Sequence, residues 1–173
     1  MPLWALPLTG WALMALAMLL AWAYAQRRHD AGIVDAIWAL GVGGLAVFYA
    51  VMADGSVLRR VLLAALAGTW SGRLGLYLIR DRVLGEEEDG RYQMLRRRWG
   101  RHARAFFFAF FQVQAMGAIL FSLPFLPAAA HEGPAPAWHD FAAVAVWLLA
   151  VGGEGLADLQ LARFRSRIGN RGR

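Results

Sequence analysis

The sequence predicts an all-α fold: a polytopic bundle of about five transmembrane helices, with the N-terminus outside and the C-terminus cytosolic. Three observations lead there. First, 59% of the 173 residues are hydrophobic and only 17% are charged, with a mean hydropathy of +0.42, whereas about a quarter of a soluble chain is charged. Second, the apolar residues gather into runs near the roughly 20 residues that a helix needs to cross a bilayer. Third, one connection, Arg80 to Arg104, holds eight of the 18 basic residues and five of the 12 acidic ones, so most of the polar chemistry sits between two apolar halves.

The first apolar run, 3–25, is broken only mildly by Pro7, Thr9 and Gly10. A cleaved signal peptide carries its positive charge ahead of the apolar stretch; here Arg27 and Arg28 follow it, so the run reads as a retained span. The second span, 33–52, holds Asp35 and Trp38 one turn apart on a shared face. After a polar turn at Asp54 to Ser56, the third span, 57–79, carries Arg73 in its interior. The fourth, 106–126, opens on Phe106, Phe107, Phe108, Phe110 and Phe111, carries Gln112 and Gln114, and leaves through Pro124 and Pro127. A Pro- and Ala-rich external loop leads to the fifth span, 141–161. Residues 1–173 read as a single membrane domain, with a cytosolic loop at 80–105.

Arginine placement orients the bundle. Arg27 and Arg28, the eight from 80 to 104 and the five from 163 to 173 fall on one side, against Arg59 and Arg60 on the other. Basic residues in short loops stay cytosolic, which makes the chain a multi-pass membrane protein with this side in the cytosol. The net charge of +6 and pI of 10.9 then follow from topology, and nucleic acid is not an expected partner. With no cysteine in the chain, disulfides, thiolate metal sites and cysteine nucleophiles are excluded. The histidines show no metal-ligand spacing, so no metal is expected.

Within the central loop, Tyr92, Leu95 and Trp99 recur at helical spacing among arginines after the acidic run Glu86 to Asp89. This suits a helix on the membrane surface, and the plainest role for it is anchoring to anionic lipid.

Counted from the cytosolic ends at ~1.5 Å per residue, Asp35, Arg73, Gln112 and Gln114 lie within roughly 12 Å of the inner surface. Glu154 and Asp158 fall in the same band. A charge inside a span costs about 2.5 to 3.5 kcal/mol, so such residues face a partner or a wet cavity. Asp35, Trp38, Arg73 and Gln114 are therefore the candidate substrate or pocket residues. Arg73 is expected to pair with Asp35 or Glu154, and the blander alternative for Asp35 is a pair with Arg28. The glutamines serve as interhelical glue in the alternative reading.

Glu154 and Asp158 stand one turn apart, and Arg163 and Arg165 follow. Carboxylates accept from ribose hydroxyls and guanidinium groups clamp phosphate, so these four are the candidate cofactor-binding residues. No glycine-rich dinucleotide fingerprint is present.

Taken together, Asp35-x-x-Trp38, Arg80, Glu88-Asp89-x-Arg91-Tyr92, Trp99-Gly100, Phe111-x-x-Gln114 and Glu154-x-x-Ala157-Asp158-x-Gln160-x-x-x-Phe164 resemble the bacterial domain-of-unknown-function 1295 membrane family. That family is grouped with the C-terminal domain of steroid 5-alpha-reductases. The resemblance covers about 31–165. It implies an NADPH-dependent oxidoreductase that reduces a double bond in a lipid-like substrate, whether sterol, polyprenyl or fatty-acyl. It also implies cofactor contacts at Glu154, Asp158 and Arg165, although the reductases carry asparagine at the first of these. Tyr92 is the candidate catalytic proton donor on chemical grounds. Resembling chains continue past Asn170-Arg171-Gly172 into further helices, so a missing C-terminal half is expected as a partner in the site. Two alternatives stand beside this reading: a non-catalytic membrane scaffold, and a membrane methyltransferase-like fold using S-adenosylmethionine.

Overall fold

The chain is described by a computed structural model covering residues 2–84 and 88–166, the side chains of 165 and 166 excepted. Every regular element among these residues is helical: α1 (Ala5–Arg28), α2 (Ile33–Met52), α3 (Val57–Leu78), α4 (Gly90–Trp99), α5 (Ala103–Ser122), the short α6 (Phe125–Ala130) and α7 (Trp138–Ser166). Five stretches are long and apolar enough to cross a membrane, namely Ala5–Arg28, Ile33–Met52, Val57–Val83, Gly90–Ser122 and Trp138–Phe164. The protein is thus an all-helical, multi-pass membrane protein. The chain divides into two compact units, one through Gly133 and one from Pro134, and α7 belongs to the second.

In the first unit, α2 is the central helix, packed against α1, α3, α5 and α6. Its neighbours each offer it one stripe. Leu6, Gly10, Met14, Met18, Ala21 and Ala25 are the buried face of α1, and Phe107, Phe111, Ala115, Ala118 and Ser122 lie along that of α5; both follow the three-to-four-residue repeat of a helix with one packed side. Lipid offers no hydrophobic drive for helices to associate, so close backbone approach matters more than bulk. Ala67, Ser71 and Gly75 supply it on α3. The space for a side chain at Gly43 is taken by Ser71, whose Oγ donates to Ala39 O at 2.7 Å, and that at Gly75 by Leu40.

Two ends of this unit are distinguishable by their loops. At one, the N–H of Ser56 donates to His131 O at 3.0 Å and Arg59 Nη1 donates to Gly133 O at 2.9 Å. Arg60 there closes α2, donating from Nε to Ala50 O and from Nη2 to Val51 O at 2.5 and 2.9 Å, which satisfies carbonyls that a helix end leaves open. The other end carries the α1–α2 link and the segment from 79 to 102. Arg59 and Arg60 thus lie at one end of this unit, and Arg27, Arg28 and the described arginines from 80 to 104 at the other.

Several boundaries differ from the sequence reading for local reasons. The third helix ends in a widened turn, Ile79–Val83, where the N–H of Leu84 reaches Ile79 O at 2.9 Å. The segment after Trp99 needs only a 3₁₀ turn, Gly100–His102, before α5 begins at Ala103; Gly100 makes the junction with a φ of 47° that a side chain would resist. Residues 125–130 form a separate short helix with Pro124 as N-cap, where the fourth span was expected to run to 126 and a Pro- and Ala-rich loop to follow. The last helix starts at Trp138, earlier than the apolar run suggests.

Candidate polar site at the α2–α4 junction

Asp35 lies in the first turn of α2, where the helix dipole favours a negative charge. Three donors converge on it. Tyr92 Oη donates to Oδ1 at 2.7 Å, while Arg82 Nη1 and Arg91 Nη2 reach Oδ2 at 2.9 and 3.2 Å. Arg82 Nη1 also meets Asp89 Oδ2 at 2.6 Å, so this one nitrogen bridges two carboxylates while Nε donates to Asp81 at 3.2 Å. Asp89 is the N-cap of α4: its Oδ1 accepts from the backbone N–H of Arg91 at 2.9 Å and from Arg91 Nε at 3.1 Å.

A second clamp lies beside the first. Glu88 Oε1 accepts from Arg96 Nη2 at 2.8 Å and from the backbone N–H of Ala31 at 2.9 Å, and its Oε2 accepts from Arg96 Nε at 3.2 Å. The Glu88 side chain is only 10% exposed. The Arg96 guanidinium also lies 4.9 Å over the Phe107 ring. Glu88 and Asp89 therefore tie the start of α4 to the α1–α2 link and to α2. The apolar side of α4, Tyr92, Leu95 and Trp99, packs on the core, with Tyr92 edge-on to Phe107 and Phe110 and Trp99 stacked on Phe106 at 5.4 Å.

Burial alone would push the Asp89 carboxyl up. The hydrogen bonds from the Arg91 side chain and backbone, with the charges of Arg82 and Arg91, outweigh it and hold the group below the ordinary aspartate value.

The structure brings Asp35 and Tyr92 together and corrects the expected partners of Asp35. Among the described residues its cations are Arg82 and Arg91, and neither Arg28 nor Arg73 is one of them. Arg73 is half-buried on α3. Trp38 turns toward α5, edge-on to Phe121 at 5.3 Å, and its Nε1 and Gln114 Oε1 both lie within 3.7 Å of where a Gly117 Cβ would stand. Gln112 Nε2 donates to Ala15 O at 3.4 Å, linking α5 to α1.

Glu154, Asp158 and Arg163 are on α7, in the second unit. The carboxylates stand one turn apart; Arg163, nine residues after Glu154, falls on the opposite face at roughly 100° per residue. The side chain of Arg165, the acidic residues Glu86 and Glu87, and the arginines beyond 166 lie outside the described residues. Among the described residues no group of three or more His, Asp or Glu is placed to hold a metal ion.

Arg82, Glu88, Asp89, Arg91 and Arg96 are the members of the site whose pairing sequence reasoning missed. Spacing offers no signal for Arg82, which reaches Asp35 across 47 residues and stands among many equivalent arginines.

The profile of a family described as "Protein of unknown function (DUF1295)" matches residues 21–173. No curated protein and no solved structure matches the chain.

Proposed function

We propose that this protein, which belongs to the DUF1295 family, is a membrane oxidoreductase that uses NADPH to reduce a carbon–carbon double bond in a lipid-like compound, with Tyr92 as proton donor. The observation that carries the reading is the 2.7 Å hydrogen bond from the Tyr92 phenol to Asp35. It sets a buried phenolic O–H at the end of an apolar bundle, where a compound dissolved in the membrane meets polar groups. Reduction of such a bond adds a hydride to one carbon and a proton to the other. NADPH supplies the hydride when bound.

The chain's own part is the proton. Tyr92 gives it up from Oη, and the phenolate left behind is favoured by the Arg91 guanidinium, whose Cζ lies 5.5 Å from the ring centroid. Asp35 orients the phenol and is itself balanced by Arg82 and Arg91, so the carboxylate does not oppose the new charge alone. Water at the basic end of the bundle restores the proton. On α7 the proposal assigns Glu154 and Asp158, one turn apart, to the hydroxyls of a ribose, and Arg163 and Arg165 to phosphate. The proposal sets this end of the bundle in the cytosol of a bacterial cell, the compartment that holds NADPH.

NADPH added to the purified protein in lipid nanodiscs tests the reading. A blue-shifted, enhanced nicotinamide fluorescence is expected, lost in Asp158→Asn and Arg165→Ala and kept in Tyr92→Phe. S-adenosylmethionine should not compete. One observation favours a second reading, a non-catalytic scaffold: both oxygens of Asp35 are already engaged by protein donors. A fluorescence spectrum unchanged by the protein would select that scaffold.

A further inference from the structure

Arg80 on the turn after α3 apart, the arginines at the α4 end of the first unit fall into two classes. Arg82, Arg91 and Arg96 turn toward carboxylates. Arg27, Arg28, Arg97, Arg98, Arg101 and Arg104 are exposed, and among the described residues none of these six has a carboxylate partner. The second class is not simply solvated charge, because apolar side chains are exposed between its members. Met94, 61% exposed, precedes Arg97 and Arg98 by three and four residues and so lies on the same side of α4. Phe106 and Phe108 are exposed at the start of α5, just past Arg104.

The seam between α1 and α5 joins the two groups of cations. Trp22 Nε1 donates to Arg104 O at 3.2 Å, the Arg104 guanidinium lies 5.5 Å over the Trp22 ring, and Trp22 meets Phe108 edge-on at 5.3 Å. Cations, exposed apolar side chains and aromatic rings gathered at the end of apolar spans describe the headgroup layer of a bilayer, where charge meets phosphate and apolar side chains enter the acyl boundary. A single-stranded nucleic acid would need a run of open aromatic faces on which to stack; here the Trp22 and Trp99 rings are engaged by Phe108 and Phe106, which leaves only these partly exposed phenylalanines.

We propose that this face is a docking surface for the phosphodiester headgroups of acidic phospholipids, held by the six exposed arginines while Arg82, Arg91 and Arg96 are kept for the internal carboxylates. The surface serves whether or not Tyr92 donates a proton.

The test is the lipid that stays with the protein. The chain is extracted in mild detergent from vesicles of equimolar phosphatidylglycerol and phosphatidylcholine, and the co-purifying lipids are quantified. Several-fold enrichment of phosphatidylglycerol is expected, declining as salt is raised. A combined Arg97→Gln, Arg98→Gln and Arg101→Gln variant should return to the input ratio with its helical circular dichroism unchanged. The matching triple lysine variant, which keeps the charge, should retain the enrichment. An input ratio in the native chain, or enrichment that survives the glutamine substitutions, would overturn the proposal. So would a short single-stranded RNA that displaces the phosphatidylglycerol and remains bound in its place.

Discussion

Tyr92 and Asp35 are 57 residues apart in the chain and 2.7 Å apart in space. Their meeting joins α4, the most basic helix, to the start of α2, the most buried one. A phenol–carboxylate bond of this kind is charge-assisted and stronger than a neutral one. It forms because α4 is held twice: by Asp89 as N-cap and ion partner of Arg82, and by Glu88 between Arg96 and the Ala31 N–H.

The orientation of the bundle is tested by the cysteine-free sequence. Single cysteines replacing Arg98 and Glu132 report opposite ends. In intact cells a membrane-impermeant maleimide should label the cysteine at 132 and leave that at 98 until the cells are opened. The reverse pattern would invert the topology.

The Asp89 carboxyl is held below its unfolded value by Arg91 and Arg82. A depressed folded value contributes stability that is present above the ordinary carboxylate range and is lost as the pH falls through the folded value. Thermal unfolding in detergent should therefore show the melting temperature declining below that range. Asp89→Asn should lower the midpoint at neutral pH and flatten this decline.

Glu88 has more to lose than its charge. Glu88→Ala removes the acceptor for both Arg96 and the Ala31 N–H, and a cost of about 1.5 to 3 kcal/mol is expected. Glu88→Gln keeps acceptor atoms and should cost less. The difference between their unfolding free energies in a mild detergent checks this order, and equal losses would contradict it.

Two glycines on α2 should respond oppositely. At Gly43 an added methyl meets Ser71, so Gly43→Ala must push α3 away and is expected to cost about 1 to 3 kcal/mol. At Gly44 no atom lies within 4 Å of the added carbon, so Gly44→Ala should be neutral or stabilising by up to about 1 kcal/mol. Melting temperatures of the two variants are the readout.

Much of this fold is legible in the sequence because hydropathy acts over some 20 residues at a time and survives local detail. The helical repeat of Tyr92, Leu95 and Trp99 is legible for a similar reason, but its destination is not: a helix resting on the membrane surface was expected, and these three pack on the core of the bundle. The partner of Asp35 is not legible either. Arg28 and Arg73 stand nearer in sequence and several loop arginines at comparable range, and the choice of Arg82 depends on backbone shape. The widened turn at Ile79–Val83 ends α3, and Arg82 O comes within 2.8 Å of the place a Gly32 Cβ would take. Only a residue without a side chain permits that approach, and no periodicity records it.

The central claim is that Tyr92 and Asp35 act as one unit, and a double-mutant cycle measures it directly. Unfolding free energies of the native chain, Asp35→Asn, Tyr92→Phe and the double variant in the same detergent give their coupling. A coupling of about 1 to 3 kcal/mol is expected for a hydrogen bond to a charged group. Additivity within about 0.5 kcal/mol would mean that the two side chains do not depend on each other, and the proposed proton donor would lose its carboxylate.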